Sequence, residues 1–195
     1  LPINITAHIH HGDALEVDWE TLIPHATGWT YLFGNPPFIG HKAKTTKQRK
    51  TLQAAWGDEP AGELDFVTAW HAKSMNLLKN RRGEFAYVTT NSIAQGQSVY
   101  YLFGRLSRAG WRIKFAHRTF AWDSEAPGKA AVHCVIIGFS RDRSVKQQLW
   151  HYPNVHGEAI ELPVETGING YLVDGPFLLV KPENAPISSV VNPVA

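Results

Sequence analysis

Apolar and polar positions along the chain predict short strands that alternate with helices. Residues 29–33 form an apolar run that predicts a buried strand, and residues 85–90 and 113–117 predict two more. Apolar side chains recur at near-helical spacing over residues 66–78 and 99–106, which predicts two helices between those strands. This order of elements is typical of a parallel sheet with helical crossovers.

Local signals mark the ends of several elements. Residues 5–10 predict a further strand that ends shortly before Asp13. Thr45 or Thr46 is suited to cap the start of a helix, because a threonine hydroxyl can accept a hydrogen bond from a free backbone amide. Gly83 follows the helix-like stretch and is predicted to end it in a left-handed conformation.

The alternation of strands and helices breaks after residues 113–117. Residues 119–129 show no helical period, and residues 131–139 then form another apolar run that predicts a strand. Because parallel neighbours need a longer crossover, these last two strands are predicted to be an antiparallel pair. The pattern therefore predicts an α/β fold with a mainly parallel sheet and an antiparallel last strand.

Composition limits the chain to one globular domain or part of one. It has 195 residues, of which 44% are hydrophobic, and a formal net charge of only +2. Its one cysteine, Cys134, excludes an internal disulfide and agrees with a reducing compartment. No stretch approaches the roughly 18 apolar residues of a membrane span, and no secretory signal pattern is seen. We expect a soluble, cytoplasmic protein.

The most specific motif follows the first predicted strand and reads Gly34, Asn35, Pro36, Pro37, Phe38. The two prolines remove backbone donors, so the carbonyl groups of Asn35 and Pro36 are predicted to project as acceptors from a rigid turn. A side-chain amide, a carbonyl and an aromatic ring can together hold a planar exocyclic amine. The motif indicates methylation of adenine N6, with Phe38 stacking on an extruded base. The alternative is a structural turn with Phe38 in the core.

Basic and aromatic residues near this motif are candidate contacts for double-stranded DNA. Phe120 and Trp122 are predicted to lie in a loop that faces the site. A basic run without an intervening acidic residue would attract phosphate groups, although it could equally be a solvated helix face. The run consists of Lys42, Lys44, Lys47, Arg49 and Lys50.

A metal site is not predicted. His8, His10 and His11 lie beside Asp13 and suggest ligands at first sight. In a strand, however, His8 and His10 would share one face while His11 would point to the other. No paired cysteines or zinc-binding helix motif accompany them.

Several blocks carry a family resemblance over about residues 10–190. They are residues 33–38, 64–67, 89–96, 117–120 and 128–139. On these blocks the chain resembles the adenine-N6 methyltransferase region of the large single-chain restriction-modification proteins of the MmeI type, which are type IIL or IIG-like. Independently, an open parallel sheet that ends in an antiparallel strand is typical of the class I AdoMet-dependent (Rossmann-like) methyltransferase fold. We expect a partial fold of that class.

The resemblance implies the cofactor, the site and the organisation of the chain. It implies S-adenosyl-L-methionine (AdoMet) as methyl donor, with Asp13, Ala14 and Asn35 as cofactor-binding residues, and with residues 35–38 as the catalytic motif. It also implies that residues 1–145 form the C-terminal half of a methyltransferase domain. Residues 146–195 would then be a β-rich extension that leads toward a target-recognition region.

One feature of such enzymes is missing from the chain. A glycine-rich loop normally lets backbone amides approach the cofactor closely, and no such loop follows a strand here. We therefore expect weak or absent AdoMet binding by the isolated chain. We also expect the remainder of a parent enzyme as a partner, namely the glycine-rich half, a nuclease region and a target-recognition region.

Two alternatives remain open at this point. Related turns serve other planar amines or amides, so the substrate could be RNA or protein rather than DNA. The chain could also be a non-catalytic remnant that keeps the fold without the reaction.

Overall fold

The computed structural model describes residues 7–24, 28–40, 43–122 and 132–183. The helices are α1 (Trp19–Leu22), α2 (Thr46–Trp56), α3 (Thr68–Leu77) and α4 (Gly96–Arg108), with a 3-10 turn at Asn91–Ala94. The strands are β1 (Thr30–Gly34), β2 (Gly83–Thr90), β3 (Arg112–Trp122), β4 (Val132–Ser140), β5 (Gln148–His151) and β6 (Ile160–Leu162).

The six strands form one sheet in the order β1-β2-β4-β3-β5-β6. The pairs β1–β2 and β3–β5 are parallel, whereas β4 is antiparallel to both of its neighbours and β6 is antiparallel to β5. Four strands therefore point in one direction and two in the other. The predicted antiparallel pair is confirmed as β3 and β4, with β4 inserted between β2 and β3.

The core lies on one face of the sheet, beneath α3 and α4. Along β2, Phe85 and Tyr87 are buried while Ala86 and Val88 are half-buried, so alternate side chains point to the covered face. His71 of α3 contacts Phe85 and Tyr87 through its ring. The apolar spacing that predicted α4 reflects the side of that helix that packs onto this face.

One local prediction is confirmed by the structure and two are corrected. Thr45 caps α2, and its hydroxyl accepts from the Gln48 amide while the Gln48 side chain accepts from the Thr45 amide. Residues 7–10 are exposed and form no strand, so the predicted strand over residues 5–10 is wrong in its described part. Gly83 does not end a helix in a left-handed conformation; it is the first residue of β2.

The reason for glycine at position 83 is close packing of two strands. A Cβ atom there would lie 2.3 Å from the carbonyl oxygen of Thr30 in β1. Only glycine lets the two backbones approach in this way.

The C-terminal part of the chain continues the same sheet. β5 pairs with β3, and Gly170 packs against Val99 and Phe103 of α4. The division of the chain at residue 145 stays a prediction. Among the described residues, no helix is both long enough and apolar enough to cross a bilayer.

Candidate active site

The motif that begins at Gly34 leaves the carboxyl end of β1 as an irregular loop. Asn35 and Pro37 are exposed, Pro36 is buried and Phe38 is half-buried. Burial of Pro36, together with its fixed φ, anchors the loop against the body of the protein. The Asn35 side chain is thereby presented to solvent at a defined place beside the sheet.

A pocket of about 560 Å³ lies beside this loop. Its lining includes Ala14, Asn35, Pro36 and Pro37, so the structure brings the predicted cofactor-side residue Ala14 together with the predicted catalytic loop. Asp13 and Phe38 are not among the lining residues, although Gly12 and Ala14 on either side of Asp13 are. The volume is within the usual range for a small-molecule site.

The pocket is also lined by Tyr87 and Trp70, which sequence reasoning did not assign to the site. The Tyr87 hydroxyl is 2.7 Å from the Ser74 hydroxyl in the core. Burial raises the pKa of Tyr87 to about 12, so the phenol stays protonated at neutral pH. No local pattern marks these residues, because they reach the pocket only through packing of α3 on β2.

The opposite side of the pocket is formed by residues 13–24, which we call the wall segment. Its first turn is closed locally, since Asp13 Oδ1 accepts from the Leu15 amide at 2.9 Å. The Trp19 indole donates to the Ala14 carbonyl at 2.7 Å, and Leu15 is buried in the core. Ala14 is thus held in a compact turn that faces the Asn35 loop.

A second polar cluster joins the start of α3 to the carboxyl end of β2. Asp65 is buried, and its Oδ1 accepts from the Val67 amide at 3.2 Å. The hydroxyl groups of Thr90 and Ser92 lie 3.5 Å from Asp65 Oδ2. Burial raises the pKa of Asp65, and these hydrogen bonds oppose the effect. The cluster fixes two elements of the same sheet edge to each other.

Lys44 is placed differently from the prediction. Its side chain is buried, and its ammonium group donates to the carbonyls of Leu64 and Gly62. Burial lowers the pKa of Lys44, with Asp65 acting in the opposite direction. An ammonium group enclosed by carbonyls is not available to a phosphate, so the assignment of Lys44 to DNA binding does not fit its position.

Three other basic residues of the run lie in α2 and are exposed. Arg49 and Lys50 are exposed, and Lys47 is exposed but forms an ion pair with Glu16 at 2.7 Å. Lys42 lies outside the described residues. Among the described residues, Arg49 and Lys50 therefore remain accessible and Lys47 is accessible but paired, which is fewer free cations than the sequence predicts.

Phe120 and Trp122 belong to the end of β3 rather than to a loop, which corrects the prediction. Their rings are 6.3 Å apart, and Trp122 is 41% exposed. Because β3 and β1 point in the same direction, these rings lie at the same edge of the sheet as Asn35. The histidines of the N-terminal stretch, His8 and His10, are exposed, and the described residues include no group placed to hold a metal ion.

Comparison with known proteins places the chain in one family. Residues 1–151 match the family described as MmeI, DNA-methyltransferase domain. DNA methyltransferase A of Bacillus subtilis (strain 168) is 31% identical over 193 residues, which cover 97% of this chain and 21% of that protein. The chain is also similar to the solved structure of the type IIL restriction-modification enzyme MmeI in complex with DNA. That similarity has a TM-score of 0.87 and 38% identity, over 97% of this chain and 25% of that one.

The matches agree with the fold and with the resemblance seen in the sequence. The chain spans only about a fifth to a quarter of the length of these two relatives. The family match nevertheless includes both sides of the pocket, from the wall segment to the Asn35 loop. The expected partial Rossmann-like methyltransferase fold is confirmed, and this chain belongs to the MmeI DNA-methyltransferase domain family.

Proposed function

We propose that this chain is the segment of a restriction-modification enzyme that transfers a methyl group from AdoMet to N6 of a DNA adenine. The observation that carries the proposal is the position of Asn35, exposed beside the pocket and directly after β1. Within the described residues, neither the Asn35 side chain nor the Pro36 carbonyl takes part in a hydrogen bond. Neither oxygen atom is therefore occupied by another donor, and both residues line the pocket.

The reaction needs these acceptors because adenine N6 is a poor nucleophile. Its lone pair is delocalised into the ring until the nitrogen becomes pyramidal. Asn35 Oδ1 and the Pro36 carbonyl would accept hydrogen bonds from its two N–H groups and direct the lone pair toward the methyl group, which is catalysis by orientation and electrostatics. The amine is paired inside a duplex, so the base must first be extruded, and Phe38 would stack on it.

The residues present fit the adenine side of AdoMet. Ala14 lines the pocket, and Asp13 Oδ2 has no hydrogen-bond partner among the described residues, so it could accept from an amino group. AdoMet would supply an electrophilic methyl group on a sulfonium centre. Asp13 and Ala14 would bind its adenine ring while Asn35 borders its reactive end. The glycine-rich part of such a site is expected from the rest of the parent enzyme.

Double-stranded DNA is the partner that the surroundings of the loop support. Arg49 and Lys50 are exposed cations that could contact phosphate groups, and Lys42 and Lys47 remain candidates for the same role. Phe120 and Trp122 offer aromatic surface at the same sheet edge. The solved MmeI relative is bound to DNA.

The uncovered face of the sheet supports the remainder of a parent enzyme as the second partner. In β1, which is the edge strand, Tyr31 is 62% exposed and Phe33 is 83% exposed. Sheets with parallel strands normally bury both faces and protect their edges. We propose that the glycine-rich half of the domain covers this edge and face, with nuclease and target-recognition regions also attached.

The test uses the complete protein encoded by the gene that carries this chain. It is incubated with AdoMet and unmethylated plasmid DNA, and N6-methyladenine is measured by mass spectrometry. Asn35→Ala is expected to lower turnover about 100-fold or more while AdoMet affinity changes little, because the substitution removes an acceptor of the reacting amine. Asn80→Ala, at an exposed asparagine in the turn after α3, is the matched control.

Three results would contradict the proposal. Retention of most of the turnover in Asn35→Ala would remove this residue from the reaction. Methyl transfer to RNA or protein instead of DNA would favour another planar amine or amide as substrate. No methyl transfer by the unmodified protein would favour a non-catalytic remnant.

A further inference from the structure

The wall segment, residues 13–24, is attached to the rest of the protein in an unusual way. Among the described residues, each of its backbone–backbone hydrogen bonds stays inside the segment. Apart from the burial of Leu15 and contacts between α1 and α3, its polar attachment depends on cationic side chains from elsewhere. The side of the pocket that carries Ala14 is therefore held by the burial of Leu15, by contacts between α1 and α3 and by those cations.

Lys73 of α3 makes the attachment nearest to the pocket. Its ammonium group donates to the Val17 carbonyl at 2.6 Å and to the Leu15 carbonyl at 3.4 Å. The same group lies 5.5 Å from the centre of the Trp19 ring, and Val17 and Trp19 both line the pocket. One side chain thus contacts Leu15, Val17 and Trp19 in the turn that holds Ala14.

The remaining attachments lie farther along the chain. Arg81 donates to the carbonyls of Ile23 and Pro24 and forms an ion pair with Glu20. The pair between Lys47 and Glu16 is exposed at both ends, and exposed pairs stabilise weakly. Neither donates to a carbonyl within residues 14–19, so among the described residues Lys73 is the cation whose hydrogen bonds reach the backbone of that turn.

We propose that Lys73 is a positioning residue for the cofactor side of the pocket. It holds the carbonyls of Leu15 and Val17 so that Ala14 and Trp19 stay in the lining of the pocket together with Asn35. The inference rests on the proposed function, since it assumes that AdoMet occupies this pocket. Lys73 touches backbone of the wall and not the reacting atoms, so its loss should weaken cofactor binding rather than slow the chemical step.

The kinetic test uses the complete protein with three substitutions. Lys73→Met keeps a similar stem but removes the donors, Lys73→Arg restores donors, and Lys79→Met changes an exposed lysine just after α3. Lys73→Met is expected to raise KM for AdoMet about tenfold, because a charged hydrogen bond to backbone is lost. At saturating AdoMet, kcat and KM for DNA should stay within about twofold. Lys73→Arg should recover most of the AdoMet affinity, and Lys79→Met should match the unmodified protein.

An unchanged KM for AdoMet in Lys73→Met would overturn the proposal. A fall in kcat with KM unchanged would also overturn it, because it would indicate only a smaller fraction of folded enzyme. If Lys73→Met does not fold, Lys73→Arg and Lys73→Gln give the same comparison. In that case, the proposal is contradicted if the KM for AdoMet is no higher in Lys73→Gln than in Lys73→Arg.

A second measurement does not depend on activity. Amide hydrogen exchange of residues 14–19 in the complete protein should be faster in Lys73→Met than in Lys79→Met, while exchange in β2 stays the same. Equal exchange at residues 14–19 would overturn the role of Lys73. Failure of the unmodified complete protein to methylate DNA would instead refute the proposed function, and the exchange experiment would still test the attachment.

Discussion

Protonation of His71 is expected to destabilise the fold in acid. This side chain of α3 is fully buried among the rings of Phe85, Tyr87 and Phe139. Neither ring nitrogen makes a hydrogen bond of normal geometry within the described residues. Burial lowers the pKa of His71 from 6.5 to about 4, and the nearby Val67 carbonyl opposes this only in part.

The size of the effect follows from the difference between the two pKa values. That difference of roughly 2.5 corresponds to about 3 kcal/mol, since one pKa unit is worth about 1.4 kcal/mol. The native pKa lies below that of the unfolded chain, so the unfolded chain binds the proton more tightly. The free energy of unfolding therefore keeps this contribution of the neutral ring in full above pH 6.5 and loses it as the pH falls through about 4. By linkage, about 2 kcal/mol of it is already lost at pH 5.

Urea unfolding of the 195-residue chain, followed by tryptophan fluorescence at pH 7.5 and pH 5, measures this loss. His71→Leu removes the titrating ring from the core, and His8→Gln changes an exposed histidine as the control. Between pH 7.5 and pH 5, the free energy of unfolding should fall by about 2 kcal/mol more in the unmodified chain and in His8→Gln than in His71→Leu. If all three proteins show the same pH dependence, the buried imidazole does not set acid stability.

Four further predictions concern single residues and the cofactor. Lys44→Met should lower the free energy of unfolding by about 1 to 3 kcal/mol without changing DNA affinity, because the buried Leu64 carbonyl loses its donor. Lys50→Met should instead reduce the salt dependence of DNA binding measured by fluorescence anisotropy, with little effect on urea unfolding. Phe38→Ala should weaken binding of 2-aminopurine DNA by about 1 to 3 kcal/mol, whereas unchanged 2-aminopurine fluorescence with a collapsed melting temperature would show a structural ring. Calorimetry of the isolated chain with AdoMet should show weak or no binding, and a low-micromolar Kd would contradict this.

Elements with strong local signals could be predicted from the sequence. β2, α4 and β4 follow from apolar spacing, and the short connection after β3 correctly indicated an antiparallel neighbour. The Asn35 loop was also identified, because two consecutive prolines constrain the backbone without help from the rest of the fold. These signals depend on neighbours in the chain, so they can be read without the tertiary structure.

Roles that depend on distant residues could not be predicted. Gly83 was interpreted as a helix end, yet its reason is the Thr30 carbonyl more than 50 positions earlier in the chain. Lys44 was interpreted as one cation of an exposed run, yet it donates to carbonyls of Gly62 and Leu64. Nothing near Lys73 in the sequence indicates that its side chain reaches the carbonyls of Leu15 and Val17.

The two sides of the pocket are stabilised by different forces, and they should respond to different perturbations. The Asn35 loop continues a strand of the sheet and is anchored by buried Pro36, so it depends on the core. The wall segment depends on Lys73 and Arg81, whose partners are mostly neutral backbone carbonyls. Salt screens exposed ion pairs such as Lys47 with Glu16, but it weakens donation to partly buried neutral carbonyls less. An experiment that disturbs only one side of the pocket should therefore remove a hydrogen-bond donor rather than raise the ionic strength. Substitution at Lys73 acts on the wall segment, while the loop that presents Asn35 stays in place.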